Sequence, residues 1–113
     1  MPRNLYDECK CGNLNAAKQM IMNGVSVNMT NSLSETPLFI ACREDHLEIV
    51  KLLIASGASL DEAVGSGYTP LFIASYEGRL EIVKVLIASG ALLDKANRYG
   101  ETPLYRASDN GYL

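Results

Sequence analysis

The sequence predicts an all-α repeat solenoid, and internal repetition is the observation that predicts it. The hexapeptide TPLFIA occupies residues 36–41 and again 69–74, and TPLYRA follows at 102–107, so the interval is 33 residues both times. Residues 36–61 and 69–94 are identical at 20 of 26 aligned positions. A fixed interval of this length is typical of chains that fold as stacked copies of one structural unit.

The same frame divides the chain into four units. Leu5 and Gly24 precede Leu38 and Gly57 by 33 residues, so the frame extends into the first part of the chain. We therefore predict one domain over residues 1–113, with three full repeats and a partial fourth at about 1–30, 31–63, 64–96 and 97–113.

Each unit should contain a short first helix and a slightly longer second helix. The Thr36 hydroxyl can cap a helix and Pro37 suits the first helical position, which predicts a helix over Pro37–Arg43. The second helix is predicted from about Leu47 to Ser56, because apolar residues recur there at helical spacing. A glycine follows each second helix, where a left-handed C-cap is expected: Gly24, Gly57 and Gly90.

The units are too small to be stable alone. Residues 59–68 have the glycine and polar content of a hairpin or extended turn between two helix pairs. Helices of about 7–10 residues fall below the ~12–15 at which isolated helices become marginal in water. The apolar stripes should therefore be buried by stacking each unit against the next.

This frame resembles that of the ankyrin repeat family, whose units are a hairpin and two antiparallel helices with a TPLHxA signature. The three hexapeptides and the segment LEIVKLLIASGA at 47–58 carry the resemblance, which covers essentially the whole chain. It implies an ankyrin-type stack of helix-turn-helix units connected by hairpins or turns, and a concave surface that binds other proteins.

Departures from the family pattern lead to two further expectations. Ser34 and Asp45 stand where the family prefers glycine, so the turns of the second unit are expected to be less regular than those of the third. Ring packing is expected to replace the hydrogen bond that the family's histidine makes to the neighbouring hairpin. Aromatic residues occupy that histidine position in all four units: Tyr6, Phe39, Phe72 and Tyr105.

The two ends of the repeat array carry charges at positions that are apolar in the middle units. Asp7 and Glu8 replace the equivalents of Ile40 and Ala41, and Arg106 replaces the same isoleucine. We expect these charges to cap the stack where its outer faces meet water. Because the sequence stops where a second helix should begin, we expect either a piece of a longer array or a last unit of one hairpin and one helix.

Composition narrows the function. A net charge of −3 and a pI near 5.0 argue against nucleic acid as a partner. Every apolar run is far below the roughly 18 residues of a membrane helix, and the first residues lack the apolar core of a signal peptide. Three cysteines without paired spacing predict free thiols in a reducing compartment. We expect a cytoplasmic protein, with the nucleus left open.

Candidates for catalysis or metal binding are few. His46, the one histidine, fits a structural position of the ankyrin frame at the start of a second helix. The Cys9-x-Cys11 spacing is wrong for a zinc ribbon, Cys42 occupies a slot for small residues, and the segment GSG at 65–67 lacks the Gly-Lys-Ser/Thr ending of a phosphate loop. We predict no enzyme, and no catalytic, cofactor-binding or metal-binding residues.

A protein-interaction module is the preferred function. Residues that are the same in every unit are accounted for by packing. Exposed positions that differ between units are not required by packing, so they can be used to bind a partner. Tyrosine and arginine are enriched among binding hot spots. We expect a protein or peptide partner and a monomer, unless the C-terminal end self-associates. The alternative is a structural spacer or regulatory array in a longer protein, its variable residues being ordinary surface. The predicted partner-binding residues are Leu33, Glu35, Arg43, Tyr68, Tyr76, Arg98 and Tyr99.

Overall fold

Seven α-helices account for the regular structure of residues 3–111, the part of the chain that the computed structural model describes. Each has seven to nine residues, so none would be stable alone in water. In that range the only β-type pairing is an isolated bridge between Val64 and Tyr68. The helices are α1 (Leu5–Cys11), α2 (Leu14–Met22), α3 (Pro37–Arg43), α4 (Leu47–Ala55), α5 (Pro70–Glu77), α6 (Leu80–Ala88) and α7 (Pro103–Asp109).

The helices form two parallel layers. The first-helix layer contains α1, α3, α5 and α7, each packed on the next, and the second-helix layer contains α2, α4 and α6. Every second helix also packs against the first helix of its own unit. The stack measures 39 × 25 × 21 Å. The predicted all-α repeat solenoid is confirmed, while the limits of the individual repeats stay a prediction.

The threonine–proline pairs start the first helices as expected. The hydroxyl oxygens of Thr36, Thr69 and Thr102 each accept a hydrogen bond from the N–H three residues later, at 3.0–3.1 Å. The predicted helix Pro37–Arg43 is confirmed, and the predicted second helix ends one residue early, with Ser56 as its C-cap. Gly24, Gly57 and Gly90 have φ values of 92°, 91° and 98°, the left-handed conformation that was expected after these helices.

The turns of the second unit keep the geometry of a glycine although they lack one. Ser34 and Asp45 adopt φ values of 62° and 66°, and the equivalent glycines of the third unit, Gly67 and Gly78, have 94° and 77°. The hairpin of the second unit is nevertheless less regular, as expected, because it lacks the bridge that Val64 and Tyr68 form in the third unit. At both turns the fold holds a non-glycine residue in a conformation that costs roughly 1–2 kcal/mol.

Leucine side chains at equivalent positions build the core between the layers. Leu5, Leu38 and Leu71 are at most 1% exposed, and Leu53 and Leu86 fill the facing side from the second helices. This burial is what the individual units could not achieve alone.

The acidic side chains of the first unit are less exposed than the sequence suggested. Glu8 is only 4% exposed and forms an ion pair with Arg3, with the Asn13 amide 3.4 Å from the same carboxylate. Asp7 is half-buried and completes a capping box with Asn4 at the start of α1. The expectation of a solvated cap is wrong for Glu8, because Arg3, at the position equivalent to Thr36, pairs with its carboxylate.

No helix within residues 3–111 is both long enough and apolar enough to cross a membrane.

Candidate functional site

The predicted site residues lie on one surface, which we call the hairpin face. It consists of the three hairpins at residues 31–35, 64–68 and 97–101, together with the parts of α3, α5 and α7 that adjoin them. The tips of the second and third hairpins contact each other, since the N–H of Arg98 donates to the carbonyl of Ser66 at 2.6 Å. Helix α3 packs directly on α5, so the surface also continues from the first of these units to the second.

Asparagine side chains shape the two outer hairpins. The Asn31 side-chain oxygen accepts hydrogen bonds from the N–H groups of Leu33 and Glu35, both at 2.9 Å. Asn97 does the same for Tyr99 and Glu101, at 2.9 and 3.1 Å. The middle hairpin has Val64 at the equivalent position, so the N–H of Tyr68 donates to the backbone carbonyl of Val64 at 3.0 Å rather than to a side chain. The chain thus alternates polar, apolar and polar hairpins.

An aromatic groove occupies the middle of the face. Tyr68, Phe72, Ile73 and Tyr76 line an open depression of about 230 Å³. The rings of Tyr68 and Phe72 lie 5.0 Å apart between centroids, and Tyr76 is 55% exposed. The volume is below the roughly 300–1,000 Å³ of small-molecule pockets. The groove therefore suits one large side chain of another protein.

On one side of the groove lies a network around Glu35. Its carboxylate accepts hydrogen bonds from the Tyr6 hydroxyl at 2.7 Å, the Asn31 amide at 3.0 Å and the Arg43 guanidinium at 2.9 Å. Burial opposes ionisation, but the hydrogen bonds from Tyr6 and Asn31 and the charge of Arg43 outweigh it and lower the pKa of Glu35. The Glu35 side chain is thus an anion at neutral pH.

The sequence-based expectation that Glu35 is exposed is wrong. The residue is only 7% exposed, because Tyr6 from the preceding unit and Arg43 from its own helix close over the carboxylate. Glu35 consequently positions Arg43 and has little surface left to touch a partner.

On the other side of the groove lies a second arginine, which sequence reasoning had treated only as an end cap. Arg106 forms ion pairs with Glu101 at 2.6 Å and Asp109 at 3.3 Å. Its guanidinium carbon lies 5.2 Å from the ring centroid of Tyr76 and 5.9 Å from that of Tyr105. Arg106 therefore lies against the Tyr76 ring, and its replacement of a repeated isoleucine was the signal that could have revealed this contact.

The remaining predicted residues are divided between groove and tips. Tyr68 and Tyr76 meet in the groove, and half-buried Arg43 lies 5.9 Å from the Phe39 ring centroid beside it. The other three are exposed at the hairpin tips, outside the groove: Leu33, Arg98 and Tyr99.

The aromatic residues at the family's histidine position behave in two ways. Phe39 and Phe72 are buried and pack by their rings, as expected. The expected loss of the hydrogen bond is wrong for Tyr6, whose hydroxyl reaches Glu35 in the next hairpin. A phenol can therefore take over the inter-unit contact of an imidazole.

The Tyr6 contact predicts a pH-dependent change. Burial and the hydrogen bond to the Glu35 anion raise the pKa of Tyr6 from 10.0 to about 12. Because the folded chain favours the neutral phenol, this contribution to stability is complete below about pH 10 and is lost as the pH rises through 12. The difference in tyrosinate absorbance between wild type and Tyr6→Phe should therefore develop near pH 12.

A Glu35→Gln variant provides the control for the Tyr6 titration. It keeps a hydrogen-bond acceptor but removes the negative charge, so the Tyr6 titration should move to lower pH. A titration of Tyr6 near pH 10 in the wild type, with circular dichroism showing an intact fold, would contradict the contact.

The histidine and the two buried cysteines, which lie outside the hairpin face, have structural roles. The His46 ring nitrogen Nε2 lies 3.0 Å from the carbonyl of Lys10 and joins the first two units. Cys9 and Cys42 are free and buried, and burial raises the pKa of both thiols, that of Cys9 to about 12. Across the described stretch, no group of three or more histidine, cysteine or acidic side chains is placed to hold a metal ion.

Comparison with known families places the chain beside one of them. A family model described as ankyrin repeats in three copies matches residues 5–95, which include α1 to α6 and all four residues of the aromatic groove. Comparison with curated proteins gave no match.

Proposed function

The chain belongs to the ankyrin repeat family, and from that premise we propose that it binds a protein or peptide partner through the hairpin face. Ankyrin repeats are generally protein-interaction modules. The exposed aromatic groove is the observation that carries the proposal, because it offers one partner side chain a place between Tyr68 and Tyr76.

The groove tyrosines are not required by the repeat itself. Their equivalents in the second unit are Glu35 and Arg43, so the scaffold accepts unrelated side chains at both positions. Tyrosine combines a large apolar area with few rotatable bonds and is enriched at binding hot spots. A tyrosine pair at variable, solvent-accessible positions of a repeated frame is best accounted for by recognition.

Rigidity supports the same function. The outer hairpins are held by Asn31 and Asn97, and the groove is flanked by the ion-paired Arg43 and Arg106. A surface that is already ordered loses little conformational entropy on binding, so more of the contact energy appears as affinity.

We place this function in a non-catalytic, intracellular protein. The ankyrin repeat family is typically non-catalytic. The proposed location follows from the three cysteines, which are unpaired with one another, as expected in a reducing compartment. A monomer is sufficient for this function, since the groove is lined by residues of a single unit.

The test uses short peptides selected from a displayed random library against the wild-type chain. Tyr76→Ala should weaken their binding about tenfold, as is typical when a hot-spot side chain is truncated. Stability should change by no more than about 1 kcal/mol, because Tyr76 is 55% exposed and its main loss is the cation–π contact with Arg106. Titration calorimetry and thermal unfolding measure the two quantities.

Met22→Ala is the matched control, because Met22 is exposed on α2 in the second-helix layer, away from the groove. Its binding should equal that of the wild type. If Tyr76→Ala binds as tightly as wild type, the hairpin face is the wrong surface, and a structural spacer becomes the better interpretation.

A further inference from the structure

The C-terminal end of α5 differs from the ends of the other first helices. The last turns of α1, α3 and α7 each contain a basic residue, respectively Lys10, Arg43 and Arg106. Cations are favoured there because the helix dipole places partial negative charge at the C-terminus. Helix α5 has no basic residue in its last turn and ends on the acidic Glu77 instead.

Within residues 3–111 the following unit brings no unpaired cation to this helix end: the Arg106 guanidinium lies 5.2 Å from the Tyr76 ring centroid, but Glu101 and Asp109 both form ion pairs with it. At the end of α3, the Arg79 guanidinium donates to the carbonyl of Arg43 at 3.0 Å. At the end of α5, the group in the corresponding role is the neutral amide of Asn110, which lies 2.6 Å from the carbonyl of Ser75 and 3.5 Å from that of Tyr76. The α5 terminus therefore keeps its negative potential.

Glu77 strengthens that potential. Its equivalent in the second unit, Glu44, forms an ion pair with Arg43 at 3.1 Å, whereas Glu77 is exposed and forms no ion pair with any other residue in the described range. A carboxylate without a counter-ion, at a helix end that itself favours cations, is a place for a positive charge from outside.

The surroundings of the groove are acidic as a whole. Arg43 is shared by two carboxylates, and so is Arg106, so each cluster has an excess of one negative charge. Glu77 brings the excess to three, and counting Arg98 at the neighbouring hairpin tip leaves two. An acidic segment would be repelled by this field, and a basic segment would be attracted.

Resting on the proposed function, we propose that the hairpin face selects a protein segment in which a lysine or arginine adjoins a large apolar or aromatic residue. The apolar side chain fills the groove beside Tyr76, and the cation pairs with Glu77 at the end of α5. Tyr76 and Glu77 are consecutive at the end of α5, with Cα atoms about 3.8 Å apart, and their side chains leave the helix roughly 100° apart. Both side chains are exposed, so a segment that crosses this helix end can place one side chain on each.

The experiment is a sequence comparison of peptides selected from a displayed random library, followed by affinity measurements on three variants. Basic residues next to leucine, phenylalanine or tyrosine should be enriched over acidic ones. Glu77→Gln should weaken binding about threefold, as expected for one exposed ion pair, and Glu77→Lys about tenfold, since it adds like-charge repulsion. Added salt should weaken the wild-type complex more than the Glu77→Gln complex.

Glu81→Gln is the control for general loss of negative charge. Glu81 is equally acidic and exposed but lies on α6 in the second-helix layer, 3.4 Å from Lys84. Its removal should leave the affinity unchanged. An equal loss in Glu77→Gln and Glu81→Gln would overturn the inference, because the effect would then come from net charge alone.

The remaining outcomes separate this inference from the proposed function. Peptides that depend on Tyr76 but carry no basic residue, or bind Glu77→Gln as well as wild type, would overturn the cation subsite and leave the groove as the binding site. Peptides that ignore Tyr76 would overturn both. Failure to select any peptide would also count against both, since a preorganised groove with a cation subsite should retain short segments.

Discussion

Replacing Leu71 with alanine should lower the free energy of unfolding by about 2–5 kcal/mol, whereas the same substitution at Leu104 should cost less than about 1 kcal/mol. The two leucines occupy the same place in their units, directly after a threonine–proline pair. Leu71 is 1% exposed between the two helix layers, and Leu104 is 46% exposed. The contrast therefore measures how much burial between stacked units adds to the stability contributed by a leucine at the same repeat position.

Urea denaturation followed by circular dichroism measures both variants. For Leu71→Ala the expected loss comes from removed apolar contacts and from the cavity that remains, because packed neighbours relax only partly. A loss at Leu104 as large as that at Leu71 would show that the apolar surface around α7 is covered in solution, contrary to its exposure in the structure.

The second large effect is expected at Gly12, where Gly12→Ala should destabilise the fold by about 2 kcal/mol. Its φ of 81° costs a non-glycine residue roughly 1–2 kcal/mol. A β-carbon there would also lie 2.6 Å from the ring of His46, so the ring must move and lose its contact with the carbonyl of Lys10.

Two controls separate backbone strain from this collision. Gly24 has a similar φ of 92°, but a β-carbon there would meet nothing within 4 Å, so Gly24→Ala should cost only about 1 kcal/mol. Adding His46→Ala to Gly12→Ala should cost less than the sum of the two single changes, because neighbouring substitutions couple. Strict additivity would mean that the His46 ring does not lie against Gly12.

The aromatic groove shows how a repeated scaffold acquires a singular surface. The outer hairpins carry an asparagine and a glutamate that hold an arginine, and the middle hairpin carries Val64 and Tyr68. The charged groups around Arg43 and Arg106 pair with one another on either side of the groove. The aromatic groove between them therefore remains the accessible part of the hairpin face. A change at a few positions in one unit, without any change in the helices, is enough to create it.

Local sequence determined the elements of this protein. The threonine–proline pairs, the terminal glycines and the apolar spacing placed the helices to within a residue, as Pro37–Arg43 and Leu47–Ala55 show. The hydroxyl cap and the left-handed glycine depend on atoms within a few residues of each other, so their effect can be read without knowing the rest of the fold. The stacking followed too, because helices this short need neighbours.

Contacts between units determined which side chains are accessible on the surface and which charges are paired. Only the tertiary structure revealed these contacts. Glu35 looked exposed because it sits at a hairpin tip, yet Tyr6, 29 residues earlier, covers it. Arg106 looked like an end cap, yet it lies against Tyr76, in the preceding unit. The accessibility and charge of each side chain depend on partners a unit away, and repetition predicts where those partners are but not how their side chains pair.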